Sequence, residues 1–370
     1  MRLLFVARAI DQMAGGVERM VISIMNALSP DHGVSLLTWD SDHATAFYPM
    51  AAGVSWHRLD IGDPRVKASV GTILARMAKV RRLVKDLAPD VIICFQGGSF
   101  RSMQLYTAGL GIPLVAAERT SPSLYDHANS RRLRFIEHQS FRFARRITIQ
   151  FERYRDLYPA YLRARMETIP NSVLQAAHLA RPDAAGAEGR WCLLSVGRLG
   201  YQKNFSVLID AFAGLAERFP DWDLRIVGEG EDRGALEAQL ARLPELKGRV
   251  SLPGAISEVE QEYAAAHLFC LPSRWEGFPN ALAEALAHGL PAVGFAGCDG
   301  VPDLIMPGKN GALATGNRDA AALVDALAPL MADTAKRAAL GRNAVASVAG
   351  YRPEEIYRLW EKVLRECIAR

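Results

Sequence analysis

Apolar and polar positions along the chain fall into two kinds of segment. The first is a short, nearly unbroken apolar run closed by Gly, Pro, Asp or Asn, the pattern of a strand buried on both faces. Such runs stand at Arg2–Ala7, Val34–Trp39, Val54–Leu59, Val91–Phe95, Pro113–Ala117 and Ile147–Ile149, then at Trp191–Val196, Leu224–Val227, Val250–Gly254, Leu268–Leu271 and Pro291–Phe295. The second kind repeats its apolar residues every three or four positions, as a helix with one buried face does. Val17, Met20, Val21, Ile24, Met25 and Leu28 make one such set, and the same spacing predicts helices at Val66–Leu87, Phe205–Phe219, Arg318–Met331, Ala335–Val348 and Pro353–Ile368. Strands separated by helices pair in parallel, because the crossover returns the chain to the same end of the sheet. The pattern therefore predicts an α/β protein. Its 370 residues amount to about two domains at roughly 150 residues each. Residues Asn171–Arg190, rich in Ala, Gly and Pro and without a core pattern, mark the connection between them.

Candidate chemistry concentrates at Leu268–Pro291, where a strand passes through a polar corner at Ser273–Gly277 into a short helix carrying Asn280, Ala281, Glu284 and Ala287 along one side. Pro279 fits the first helical turn, and Gly289 followed by Pro291 stops the helix. The free N–H groups of that first turn point out of the strand ends, where an anion such as a diphosphate can be held. Glu284 lies one turn past Asn280 on the face toward that anion, placed to accept bonds from a ribose, while Glu276 sits before the helix. Two glutamates at arbitrary positions would be solvated surface acids. The full pattern S-x-x-E-G-F-P-N-x-x-x-E, with Gly277, Phe278 and Pro279 inside it, resembles one that a known protein family carries at its binding site, and that resemblance argues otherwise. Two further loops have the same strand-to-helix setting. Gly15 and Gly16 precede the first helix, where backbone can approach a ligand closely. Arg198 and Lys203 flank the loop after Trp191–Val196, where two cations beside a helix start can neutralise charge on a leaving group.

These residues resemble the retaining glycosyltransferases of family 4, whose hallmark is an E-x7-E pair, matched here by Glu276 and Glu284. The likeness covers nearly the whole chain. Gly15-Gly16-Val17-Glu18-Arg19 is similar to the G-G-x-E-R of the branch that extends lipid-linked oligosaccharides. Gly197-Arg198-Leu199 with Lys203-Asn204 is similar to the family's G-R-L-x-x-x-K-N, and Ile169-Pro170-Asn171-Ser172-Val173 to its I-P-N-G-V hinge. The resemblance implies the GT-B fold, with two Rossmann-like domains facing across a cleft. An acceptor domain would span residues 1–175 and a nucleotide-sugar domain 176–352. A terminal helix, 353–370, would return to the first domain.

By the same resemblance, Glu276, Arg198 and Lys203 are the catalytic residues, with the arginine and lysine gripping the donor diphosphate. Donor contacts also come from Gly15, Gly16, Gly228, Gly230, Ala255, Ile256, Gly277, Phe278, Pro279, Asn280, Ala281 and Glu284. Glu18, Arg19, Glu118 and Arg119 face the acceptor, and Arg19 is a candidate to hold a diphosphate. Many relatives carry a histidine where Arg119 stands, so that histidine cannot be carried over; His127 is weighed as its substitute against an ordinary loop histidine. The family's reaction moves a hexose or N-acetylhexosamine from a nucleotide-sugar, UDP favoured and GDP possible, onto a glycan acceptor with retention. The departing diphosphate oxygen takes the acceptor proton, so no enzyme nucleophile, cofactor or metal is expected. Two rivals stay open: a nucleotide-sugar epimerase on the same fold, and a non-catalytic two-lobed nucleotide or sugar binder.

Composition adds one feature. Net charge is +4 overall, but residues 1–180 hold 23 Lys and Arg against 15 Asp and Glu, while the remainder holds 21 against 25. An anionic partner for the first half follows. Arg65, Lys67, Arg76, Lys79, Arg81, Arg82 and Lys85 occur without an acid among them, interleaved with Val66, Val70, Ile73, Leu74, Met77, Val80 and Val84, and Arg131–Arg165 contains ten arginines against three acids. Either the 66–87 helix rests on an anionic bilayer or it is an ordinary core helix with a basic outer face. The expectation is a peripheral enzyme at the cytoplasmic face of the membrane, using a polyprenyl-diphosphate-linked glycan and no nucleic acid. No apolar run approaches the roughly 18 residues a spanning helix needs. The five cysteines have no ligand or bridge spacing. Asp40-Ser41-Asp42 and Asp221-Trp222-Asp223 spell D-x-D, a metal signature elsewhere, and are read as turn chemistry.

Overall fold

The computed structural model describes residues 1–13, 15–64, 66–127 and 131–368. They form two compact units, one of residues 1–172 with the chain from Glu354 on, the other of residues 173–353. In the first unit β1 (Arg2–Val6), β2 (Gly33–Thr38), β3 (Val54–Arg58), β4 (Val91–Phe95), β5 (Leu114–Ala117), β6 (Arg146–Ile149) and β7 (Met166–Thr168) make one sheet in the order β3-β2-β1-β4-β5-β6-β7. Every pairing is parallel. β4 and β5 are buried at every position, which is why they read as unbroken apolar runs rather than alternating ones. The order reverses between β1 and β4, so the loops leaving those strands diverge to opposite faces and open a crevice at their carboxyl ends.

Local chemistry fixes the helix ends differently from the apolar period. The basic helix spans Val70–Leu87, four residues shorter than expected, because Ser69 caps it: its hydroxyl accepts the Thr72 N–H at 3.1 Å. Helices at Gly97–Tyr106 and Arg131–Phe141, which no clear periodicity announces, complete the crossovers on either side of β5. The terminal helix Pro353–Ile368 belongs to this unit. It buries Ile356, Trp360 and Leu364, with the Trp360 ring 5.9 Å from that of Phe95 and under the guanidinium of Arg119.

The second unit repeats the plan with β8 (Trp191–Val196), β9 (Trp222–Val227), β10 (Val250–Gly254), β11 (Leu268–Leu271), β12 (Ala292–Phe295) and β13 (Gly311–Ala314), ordered β10-β9-β8-β11-β12-β13 and all parallel. Its reversal lies between β8 and β11. The patternless stretch before β8 is tied down by a charge: buried Arg337 donates to the carbonyls of Pro182, Leu330 and Met331 and lies 4.2 Å over the Trp191 ring. A buried cation survives only when its donors are satisfied in this way.

Candidate functional site

In the second unit the loops leaving β8 and β11 flank the reversal, and they carry the residues singled out from the sequence. The Lys203 ammonium meets Glu276 Oε1 at 2.6 Å, and the Ser273 hydroxyl donates to the same oxygen at 2.7 Å. Glu276 is only 5% exposed, so this pair is held in a low-dielectric corner rather than on the surface. Backbone contacts hold the two loops in register. The Asn204 side-chain amide donates to Pro272 O at 3.1 Å, that of Gln202 donates to Trp275 O at 2.7 Å, and the Arg274 N–H donates to Gln202 O at 2.9 Å. Asn204 turns the chain into the helix Phe205–Ala216 from a left-handed conformation, φ 59°, which asparagine tolerates better than most residues.

A third loop, leaving β9, is zipped to the β8 loop. The Leu199 N–H donates to Glu229 O and the Asp232 N–H to Leu199 O, at 2.8 and 2.9 Å. This close approach explains two of the expected glycines. A Cβ on Gly228 would lie 1.9 Å from Gly197 O, and one on Gly230 2.2 Å from Leu199 O. Both positions thus have a packing duty, whatever ligand they also face. Across this seam Arg198 pairs with Glu231 at 2.7 Å, with both side chains more than half exposed, and the guanidinium draws the Glu231 carboxyl below its ordinary pKa. Ala255 and Ile256 follow β10 at the same edge.

The helix after β11 spans Asn280–Ala287. Pro279 precedes its first turn instead of sitting within it; the Ala283 N–H reaches back to Pro279 O at 3.0 Å. Gly289, at φ 79°, ends the segment as expected. Glu284 is half-buried and accepts the Tyr263 hydroxyl at 3.0 Å. Tyr263 belongs to the helix Val259–Ala265 and went unnoticed in the sequence, because nothing local marks an aromatic 21 positions from its partner. Phe278 is buried 5.7 Å from Tyr351, and Gly277 and Ala281 are partly exposed beside it.

The first unit's reversal presents a different surface. A cavity of about 670 Å³ opens at the ends of β1 to β4, and its described lining includes Asp11, Glu18, Asp40, Asp60, Asp63 and Arg8. Burial pushes the Glu18 carboxyl above its ordinary pKa. Gly15 and Gly16 begin the helix Gly16–Leu28 beside it, and Arg19 is not among the lining residues. Asp40 caps the Ile10 N–H at 2.9 Å, and Asp223 of the other D-x-D triplet forms a two-pronged pair with Arg190. Asp40 thus works just past the end of β2, whereas Asp223 lies within β9 and not in the turn expected from the sequence.

Glu118 and Arg119 lie at the end of β5 and are buried. Arg119 donates to Ile169 O and to the Thr148 hydroxyl, both at 2.6 Å, and it supports the terminal helix through Trp360. Glu118 faces a second buried acid that the sequence did not reveal. Glu137, on the helix Arg131–Phe141, is pushed up to about 8 by burial and by Glu118, with Arg101 at 3.6 Å opposing. Arg65 and the side chain of His127 lie outside the described residues.

The two parallel Rossmann-like sheets, with loops gathered at their reversals, define a two-unit α/β protein, and comparison with known proteins gives the family. Residues 15–172 match the family described as Glycosyl transferase 4-like domain, and residues 179–346 match Glycosyl transferases group 1. The chain belongs to the glycosyltransferases that join these two domains, and its fold is of the GT-B type. It is 24% identical to a Campylobacter jejuni enzyme over 95% of this chain and 96% of that one. That relative is named GalNAc-alpha-(1->4)-GalNAc-alpha-(1->3)-diNAcBac-PP-undecaprenol alpha-1,4-N-acetyl-D-galactosaminyltransferase. Among solved structures, sucrose-phosphate synthase from Thermosynechococcus elongatus superposes with a TM-score of 0.84 at 20% identity, covering 99% of this chain and 98% of that one. HepE of Anabaena, in complex with UDP and glucose, gives 0.78 at 19% identity, covering 99% of each chain. At those identities the structures speak for the fold.

Proposed function

We propose that this glycosyltransferase moves a hexose or N-acetylhexosamine, with retention of configuration, from a nucleoside diphosphate donor, UDP favoured, onto a glycan carried on a polyprenyl diphosphate. The observation that carries the donor half is the Lys203–Glu276 pair with Arg198 beside it, set at the reversal of the second sheet before the first turn of the Asn280–Ala287 helix. A diphosphate there meets two cations at the start of a helix, which stabilise the charge growing on the leaving oxygen. Glu276 then faces the transferred sugar, and Glu284, oriented by Tyr263, accepts from the ribose. The UDP bound by HepE supports the base, and the undecaprenyl-linked glycan in the Campylobacter enzyme's name supports the acceptor. The described carboxylates lining the cavity of the first unit can accept hydrogen bonds from hydroxyls. In this reading the sugar end of the acceptor approaches those strand ends.

Thermal shift against nucleoside diphosphates and their sugars identifies the donor, since a ligand stabilises in proportion to its occupancy. Glu284→Ala should weaken that donor by about tenfold while leaving the rate at saturation largely intact, as for a contact made equally in ground and transition states. Unchanged donor affinity in Glu284→Ala would refute the ribose assignment, and a β-linked product by NMR would refute retention.

A further inference from the structure

Of the two basic stretches the sequence offers, the structure commits much of the first, 65–85, to contacts within its own unit. Three cations of the helix Val70–Leu87 are tied to carbonyls: Arg76 donates to Ile61 and Gly62, Lys79 to Leu59, and Arg81 to Tyr106 and Ala108. They cap loop and helix ends of their own unit. The helix Arg131–Phe141 is arranged otherwise. Arg132, Phe135, Ile136 and Gln139 recur at helical spacing on its outer side, and Phe143 follows just past its end. Phe135 is 64% and Phe143 68% exposed, an unusual cost for two phenylalanines on one surface.

Arginines surround this apolar face. Arg132, Arg142 and Arg145 are exposed along it, and Arg142 lies 5.4 Å over the half-exposed ring of Tyr161. Between Arg132 and Arg145 the one acid is Glu137, and it is buried facing inward: a Cβ on Gly97 would collide with its carboxylate. Beyond Phe143 the surface opens into a groove lined by Arg145, Arg146 and Arg165 together with Asp90, Ile112 and Ile368, where Arg146 also pairs with Glu167 at 3.6 Å. Bulky apolar side chains flanked by the exposed Arg132, Arg142 and Arg145 match an anionic bilayer: the rings enter the acyl boundary while the guanidinium groups stay at the phosphates.

We infer that the outer face of the helix Arg131–Phe141, with Phe143, is the surface by which this protein rests on an anionic membrane. It presents unsatisfied apolar area and phosphate-seeking cations together. The inference deepens the membrane-borne acceptor of the reading above. Vesicle binding needs neither donor nor acceptor, so it fails or holds independently of that reading.

The test is sedimentation with vesicles of phosphatidylcholine alone or with phosphatidylglycerol added. The parent should bind the anionic vesicles, and roughly 0.5 M salt should detach it. Phe135→Ser/Phe143→Ser should lower binding at least about tenfold, and Arg132→Gln/Arg142→Gln should abolish the preference for anionic lipid. All of these positions are surface ones, so melting temperatures should stay at the parent's. Val70→Ser/Leu74→Ser, on the helix favoured by sequence, should bind as the parent does. Parent-like binding by Phe135→Ser/Phe143→Ser, equal binding to both vesicle types, or binding to neither overturns the inference.

Discussion

The two sheets share one plan and differ in the charge placed at the point where their strand order reverses. In the first unit the described lining of the crevice includes five carboxylates and Arg8; in the second, Lys203 is matched to Glu276 and Arg198 to Glu231. Summed charge runs the other way, positive over residues 1–180 and negative over the rest. The surplus arginines of the first unit lie outside its crevice, on the helix Arg131–Phe141 and in ion pairs such as Arg155–Glu152 and Arg163–Asp156. A net charge therefore locates nothing by itself. Where charge sits is decided by which side chains the topology brings to the strand ends, and function follows those loops and not the fold.

The largest effect expected from this contrast belongs to Lys203. Lys203→Ala should lower turnover by on the order of 100-fold, about 2.7 kcal/mol, as for removal of one preorganised contact to developing charge. The same change strands the buried Glu276 carboxylate, which is itself destabilising. Lys203→Ala/Glu276→Gln separates the two effects, since it should recover melting temperature without recovering turnover. Turnover near the parent's in Lys203→Ala would remove the lysine from the diphosphate and end the contrast between the two crevices.

How far the sequence carried this argument depended on whether the relevant contact was local. The buried strands β4, β11 and β12 were legible as apolar runs; Glu276, Arg198 and Lys203 stood out because each sits in a strand-to-helix loop of recognisable pattern, and Glu284 because it follows one such loop on the next helix. Contacts between distant segments were not. Tyr263 finds Glu284, Arg198 finds Glu231 across 33 positions, and Glu137 finds Gly97 only after three strands have assembled. The basic helix shows the same limit from the other side. Its arginines and lysine counted as free charge in the sequence, yet Arg76, Lys79 and Arg81 are satisfied by carbonyls that folding brings to them.

A second, smaller effect sharpens the contrast on the side of the first unit. Glu137 binds its proton up to about pH 8 when folded, against 4.5 for an ordinary glutamate, because it is buried beside Glu118. A raised carboxyl pKa means that the folded state holds more protons than the unfolded one between those limits. Stability is therefore full below about pH 4.5 and declines as pH climbs toward 8. Glu137→Gln keeps the neutral shape at every pH. Its unfolding midpoint in denaturant should be flatter across that window and exceed the parent's at pH 8 by on the order of 1–2 kcal/mol. Parallel pH profiles for parent and variant would show that the buried pair titrates as it does in the unfolded chain.

The smallest effect concerns the rival that Arg198 keeps beside it. Glu231 and an incoming diphosphate seek the same guanidinium, and the pair is exposed, so water and salt already weaken it. A diphosphate offers paired oxygens with more charge than one carboxylate, and it displaces Glu231 at little cost. On the proposed donor mode Arg198 turns to the phosphates, and Glu231 stays near them as a negative charge that favours departure of the spent nucleotide. Glu231→Gln removes both the competition and the repulsion while keeping the side chain's size. The variant should bind nucleoside diphosphate about two- to fivefold more tightly at low salt, and the gap should close as ionic strength rises. Because Arg198 holds the Glu231 carboxyl below its ordinary pKa, the difference should persist into mildly acidic solution instead of vanishing near the usual glutamate range. Calorimetry at two salt concentrations decides the matter. Weaker binding by Glu231→Gln would mean that the carboxylate serves to aim Arg198 at the diphosphate, and the second crevice would then be a preset clamp with no counter-ion to release.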